Sequence, residues 1–176
     1  MIVTLVVAFW SDRVQQRTPF MMGGFGVAAL GFIGQLAIPH DRLSGLTYFF
    51  LFIVTAGLYA PFVCSVCLLA NNLASSSKRA VGMALMASIG NLGGICGANV
   101  FIGAQAPSYP AGFGTCLGVE LLAFGTAYAL RKSYQKDNKK RDEFMVGKTE
   151  DQVLAMYSEE ELLHLGDKSP FFRYTL

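Results

Sequence analysis

Apolar residues run along this chain in long blocks, and the polar positions between them are few and clustered. No residue is charged from Pro19 to Pro39 or from Leu43 to Ala74, and between Arg79 and Arg131 the only charged side chain is Glu120. Uncharged apolar runs of about 18 residues or more predict bilayer-crossing helices, because about 20 residues at about 1.5 Å each match the hydrocarbon thickness. The last block is broken at Ala106-Pro107-Ser108-Tyr109-Pro110-Ala111-Gly112, where two prolines and a glycine predict a turn. The pattern therefore predicts spans over 19–39, about 46–72, about 80–105 and 112–130. Residues 1–10 are also apolar but reach only about 15 Å as a helix, so they read as the end of a span whose beginning is absent. Residues 11–17, 40–42 and 75–79 are expected to be short polar loops.

Beyond Arg131 the pattern changes. Residues 136–143 mix charge signs and predict a solvated helical extension past the bilayer. Thr149-x-x-Gln152 and Ser158-x-x-Glu161 fit capping boxes, and Gly166 would end the second of these helices. The expected fold class is all-α: an integral membrane helical bundle of four full spans plus the end of a fifth over 1–131, followed by a cytoplasmic tail over 132–176.

Composition supports this division. Hydrophobic residues make up 53% of the chain and charged ones 15%, which excludes an ordinary soluble domain. The formal charge of +2 says little, because the charges are unevenly placed. Basic residues gather in alternate loops: Arg13 and Arg17, then Lys78 and Arg79, then Arg131, Lys132, Lys136, Lys139, Lys140 and Arg141, against Arg42 on the other side. Basic residues near span ends favour the cytosolic face, so the tail is expected there, with the plasma membrane as the expected location. The basic run beside the membrane fixes topology or contacts anionic lipid. No secretory signal peptide is evident in residues 1–10, which lack a basic start and a small-residue cleavage site.

Candidate chemistry is sparse. Gly90, Gly93, Gly94 and Gly97 share one helix face, a spacing that lets backbones approach closely in lipid, and Gly23, Gly24, Gly26, Gly31 and Gly34 act similarly in the 19–39 span. Ser88, Asn91 and Asn99 share the opposite, polar face, while Tyr59 precedes Pro61 at an expected kink. Polar groups at membrane depth need a partner or water. Each of these either faces an aqueous cavity or hydrogen-bonds a neighbouring helix. Glu120 lies about 12 Å into its span; it is a candidate proton carrier or ion partner, or a protonated structural residue with no basic residue at similar depth. Cys64-x-x-Cys67 reads as buried small apolar residues, since a redox pair needs an accessible thiol and zinc needs further ligands. With no catalytic constellation, phosphate loop or metal set, no enzyme activity, metal or cofactor is expected.

Trp10-Ser11-Asp12-Arg13-Val14-Gln15-Gln16-Arg17 resembles the G-x-x-x-D-R-x-G-R-R loop signature of the major facilitator superfamily in its second-half copy. Asp12, Arg13 and Arg17 match its acidic and basic positions, whereas Ala8, Gln15 and Gln16 depart from its glycines and one arginine. Asn71-Asn72-Leu73-Ala74, Lys78-Arg79-Ala80-Val81-Gly82, Gly90-Asn91-Leu92-Gly93-Gly94 and Ala106-Pro107-Ser108-Tyr109-Pro110 are similar to helices ten and eleven of fungal allantoate permease-like anion:cation symporters. The ending Leu165-Gly166-Asp167-Lys168-Ser169-Pro170-Phe171-Phe172-Arg173-Tyr174 is similar to that group's tail. The resemblance implies a partial major facilitator fold, with residues 1–131 running from the end of helix eight through helix twelve. It further implies proton-coupled transport of small organic anions (allantoate, vitamin-acid or dipeptide type), a gating loop at Asp12, Arg13 and Arg17, and a substrate cavity near Tyr59, Asn91 and Asn99. Glu120 falls on the usually peripheral helix twelve.

Alternating access needs two halves rocking about a central site, and the first half and helix seven are absent here. The chain alone is expected not to transport. Its expected partners are the lipid bilayer, the missing half or another membrane protein, and the anion and proton of the full-length form, with no nucleic acid. The alternative is a truncated, non-transporting membrane protein that associates with other membrane helices.

Overall fold

The computed structural model describes residues 2–14, 16–39, 43–106, 108–148, 150–154, 156–158, 161–162 and 165–176, with the side chains at 2, 12, 150 and 151 left aside. Five long helices dominate: α1 Ile2–Val14, α2 Thr18–Ala37, α3 Ser44–Asn71, α4 Ser76–Val100 and α5 Pro110–Met145, followed by the short α6 Glu150–Leu154. No strand occurs among the described residues. The molecule is an all-α bundle, and α2, α3, α4 and α5 are each long and apolar enough to cross a membrane.

Helix boundaries differ from the charge pattern at two places. Asp12 and Arg13 lie in the last turn of α1, and Lys78 and Arg79 in the first turn of α4, where loops were expected. Neither segment contains Gly or Pro, so nothing breaks the backbone where the polar residues begin; charge marks membrane depth and does not terminate a helix. At the far end, α5 runs on through the mixed-charge residues 136–143 as the expected extension and stops before Gly147, whose φ of 78° suits a left-handed helix terminus.

The core of the bundle is an antiparallel pair. Buried Val54, Gly57, Ala60, Pro61, Cys64 and Leu68 recur every three or four residues along α3 and form one stripe. α2 meets this stripe through small residues. A β-carbon added at Gly24 would lie 2.5 Å from the Pro61 ring, one at Gly31 2.6 Å from Val54 Cγ2, and one at Gly57 2.5 Å from the Ala28 amide nitrogen; at Gly34 it would collide with the Phe50 ring. Each pair advances on α2 as it retreats on α3. In lipid, where the apolar solvent gives helices no hydrophobic reason to associate, this backbone proximity supplies the dispersion contacts that hold them.

Pro61 lies inside α3, and the helix continues through it. The remaining core is in two clusters. Met21, Cys64, Leu68 and Ala127 gather towards one end of the bundle, with Tyr134 packed on them, and Phe32, Val54 and Phe113 towards the other. α5 completes both by packing on α2, whereas α4 touches α3 and α5 lightly and contributes no buried residue.

α4 turns into α5 through a tight corner. Tyr109 adopts φ 40°, ψ 51°, immediately before Pro110, which disfavours the right-handed helical region for its predecessor. The Tyr109 ring meets Phe101 edge-on at 5.8 Å, and Phe101 meets Phe113 at 5.3 Å. Pro110 then begins α5 at a position where its missing N–H costs nothing.

Candidate functional site

Hydroxyls at membrane depth are mostly satisfied within their own helices. Thr55 donates to the Leu51 carbonyl at 2.7 Å, Ser88 to Ala84 at 2.9 Å and Thr115 to Ala111 at 2.8 Å, each one turn back. Asn99 does likewise, its Nδ2 donating to the Ile95 carbonyl at 2.9 Å. The three hydroxyls thus place their protons without a neighbouring helix, while Asn99 places one of its two amide protons and keeps its Oδ1 as an acceptor. Gln35 takes a different route: fully buried, it donates from Nε2 to the Thr47 carbonyl at 2.7 Å across the α2–α3 interface.

Asn91 lines an open groove of about 640 Å³ between α3 and α4, together with Phe62, Val66, Met83 and Met86. Tyr59 is 59% exposed on α3 and precedes Phe62 and Val66 at helical spacing, so the three share a face. Asn99 is exposed further along α4. Of the three candidate cavity residues, Asn91 alone lines the groove; Tyr59 lies one turn before Phe62 on α3, and Asn99 two turns beyond Asn91 on α4. A β-carbon added at Gly90, Gly93, Gly94 or Gly97 would meet no other part of the molecule within 4 Å.

Glu120 is 6% exposed, and its Oε1 has no hydrogen-bond partner among the described residues. Cys64 and Cys67 form no disulfide; with Ser11 and Arg17 they border a small cavity of about 30 Å³. No group of three or more His, Cys, Asp or Glu that could hold a metal ion is found among the described residues.

The densest polar site lies at the end of the bundle where α1, α3 and α5 leave it, and it involves the tail. Asn72, 4% exposed just past α3, donates from Nδ2 to the Thr175 carbonyl at 3.1 Å, while its Oδ1 accepts from the Thr175 amide at 2.8 Å and hydroxyl at 2.9 Å. Asn138 on α5 treats Tyr174 the same way, at 2.8 and 2.9 Å. The Arg141 guanidinium donates to the Phe172 carbonyl at 2.6 Å and the Asp167 carbonyl at 2.8 Å, and lies 4.5 Å above the Tyr174 ring. Tyr134 stacks on that ring at 4.6 Å. Arg173 pairs with Asp142 at 2.9 Å, Lys78 with Asp167 at 2.6 Å, and the Arg17 amide donates to the Leu176 carbonyl. The bonded Lys78 ammonium holds the Asp167 carboxyl below the usual carboxylate range. Arg17, between α1 and α2, thereby sits against the tail; Arg13 is exposed on α1, and the Asp12 side chain lies outside the described residues.

Asn72, Asn138 and Arg141 were not anticipated as site residues. Their partners are up to 103 residues away, and the one signal in the sequence was the family-like Phe-Arg-Tyr ending itself. Of the expected tail caps, the Ser158–Glu161 box forms reciprocally, at 2.9 and 3.2 Å. Thr149 lies outside the described residues.

A bundle of apolar helices, four of them long enough to cross a bilayer and with hydroxyls satisfied inside their own helices, defines a multi-pass membrane protein. A profile of the Major Facilitator Superfamily matches residues 1–171, and the chain belongs to that family. Among similar proteins, the MFS-type transporter cnsO of Penicillium expansum is 33% identical over 99% of this chain and 33% of its own length. The high-affinity nicotinic acid transporter of Saccharomyces cerevisiae is 25% identical over 98% of this chain and 31% of its own length. The major facilitator-type transporter hxnP of Emericella nidulans is 28% identical over 99% of this chain and 34% of its own length. The chain thus spans about a third of these relatives. No solved structure matches it significantly.

Proposed function

We propose that this chain forms the carboxy-side helices of a secondary transporter for small organic anions, of the allantoate permease-like group, coupled to protons. The observation that carries this reading is similarity along almost the whole chain to relatives named as transporters, one of them for nicotinic acid, a small organic acid. In this reading residues 1–131 correspond to the end of helix eight through helix twelve and residues 132–176 to a cytoplasmic tail at the plasma membrane. Tyr59, Asn91 and Asn99 line the substrate cavity, and the open α3–α4 groove supports this role for Asn91. Asp12, Arg13 and Arg17 serve the gate. Glu120 is the candidate proton site, supported by its burial and the open hydrogen-bonding position of Oε1. A rocking mechanism needs the other half, so the chain alone transports nothing.

Uptake measurements test this directly. The 176-residue chain expressed alone in cells lacking organic-anion permeases should give no uptake above background. Fused behind the amino-side helices of the nicotinic acid transporter, it should give saturable nicotinate uptake that a protonophore abolishes. Uptake by the chain alone would refute its inactivity, and uptake by the fusion that ignores the protonophore would refute proton coupling. Cysteine placed at Asn91 or Asn99 in a fusion lacking native cysteines should react with a hydrophilic thiol reagent, more slowly when substrate is present. Inertness equal to that of cysteine at Leu85 or Leu92 would remove both asparagines from the cavity.

A further inference from the structure

Two carboxamides at the tail end of the bundle grip consecutive backbone residues. Asn138 satisfies both the amide and the carbonyl of Tyr174, and Asn72 satisfies both of those groups on Thr175. In an extended segment the N–H and C=O of one residue point to one side, and those of the next residue to the other. The segment therefore threads between α3 and α5, with each asparagine acting as a one-residue strand partner. This is the main-chain logic by which grooves capture extended peptides.

Side chains add selectivity. The Tyr174 ring is held between the Tyr134 ring and the Arg141 guanidinium, Arg173 meets Asp142, and the Thr175 hydroxyl reaches Asn72. Aromatic stacking and a cation over the same ring each favour an aromatic side chain at this position. Most of the holding groups lie on helices, at positions set by the rigid backbone of α5 and the end of α3.

We propose that Asn72, Tyr134, Asn138, Arg141 and Asp142 form a peptide-recognition groove for an extended Phe-Arg-Tyr-Thr segment, occupied by this chain's own residues 172–175. Its occupancy clasps the ends of α3 and α5 into one body and, through the Leu176 carbonyl, extends the clasp to the start of α2. The inference concerns the groove alone and stands apart from the transport reading, because its test involves no substrate.

Hydrogen exchange on the full chain in detergent micelles is the first measurement. The Tyr174 and Thr175 amides should exchange at least about tenfold more slowly than in the free peptide 169–176. Asn138→Ala should release Tyr174 preferentially, and Asn72→Ala should release Thr175. Unprotected amides in the unaltered chain would overturn the groove. The second measurement uses a full-length Tyr174→Ala chain, whose own segment holds weakly, titrated with fluorescein-labelled peptide 169–176. Binding should saturate and be at least about tenfold tighter than to the unaltered chain, and Asn138→Ala added to that chain should abolish it. Equal binding to both chains, or no saturable binding by the Tyr174→Ala chain with its helix content intact, would overturn the proposal. Concentration-dependent dimerisation by tail exchange would overturn the assignment of the occupant to the same chain.

Discussion

The α2–α3 pair and α4 carry similar glycine patterns and come to opposite ends. At Gly24, Gly31, Gly34 and Gly57 the absent side chain is the space into which the neighbouring helix fits, whereas a β-carbon added at Gly90, Gly93, Gly94 or Gly97 would meet nothing within 4 Å. A small-residue stripe is thus a capacity for close approach, and an apposed surface is what realises it. On α2 and α3 the capacity is used within this chain. On α4 it remains open beside the largely apolar groove that holds Asn91.

The contrast is broken or sharpened most strongly at the glycines themselves. Gly57→Val drives new atoms into the Ala28 backbone, which cannot swing aside, and should cost about 3 kcal/mol, near the upper end of overpacking penalties. The same change at Gly94 should stay within about 0.5 kcal/mol in this chain. Thermal unfolding in micelles reads both, and comparable losses would erase the distinction between the two surfaces.

A smaller effect is expected inside the closed interface. Gln35→Leu keeps the bulk but removes the bond to the Thr47 carbonyl, and should cost about 1 kcal/mol. Asn99→Leu on α4 loses a bond only within its own helix; in the same unfolding assay its cost should be smaller than that of Gln35→Leu.

The smallest effect concerns the Lys78–Asp167 pair that ties the start of α4 to the tail. Both groups are partly solvated, at 51% and 22% side-chain exposure, so the pair should contribute about 0.2–1 kcal/mol and weaken with salt. Because the folded carboxyl titrates below its ordinary value of 3.8, this contribution is fully present above that value. It disappears as pH falls through the lower, folded pKa. Lys78→Gln should therefore lower stability slightly at pH 7 and leave it unchanged where Asp167 is protonated in both states.

The four spans could be read from uncharged block length alone, since a bilayer constrains length and polarity more tightly than water does. Their ends were less readable. Asp12, Arg13, Lys78 and Arg79 are compatible with both loop and helix, and their charge reports only that the hydrocarbon has ended. Which glycines would close was hidden too: Gly24 and Gly94 occupy equivalent helical patterns, and the difference lies in the facing residue, Pro61 in one case. The tail groove was the least accessible. Asn72 and Asn138 are unremarkable alone, and their meaning comes from neighbours that only the folded chain brings beside them. Polarity at depth singles out Tyr59 and Asn91 alike, but it does not say that Asn91 lines the α3–α4 groove, which depends on how α4 lies against Phe62 and Val66 of α3.

The corner at Tyr109 has a mechanical consequence for α4. That helix is pinned at its far end, where Phe101 wedges against Tyr109 and Phe113, and at its near end, where Gly82 abuts Leu73 and Lys78 reaches the tail. Between these supports it has no buried residue. A beam held at both ends bends most at its centre, and the centre of α4 is the stretch from Ser88 to Asn91. Any bending there would widen or narrow the groove lined by Phe62 and Asn91 while both anchorages stayed in place.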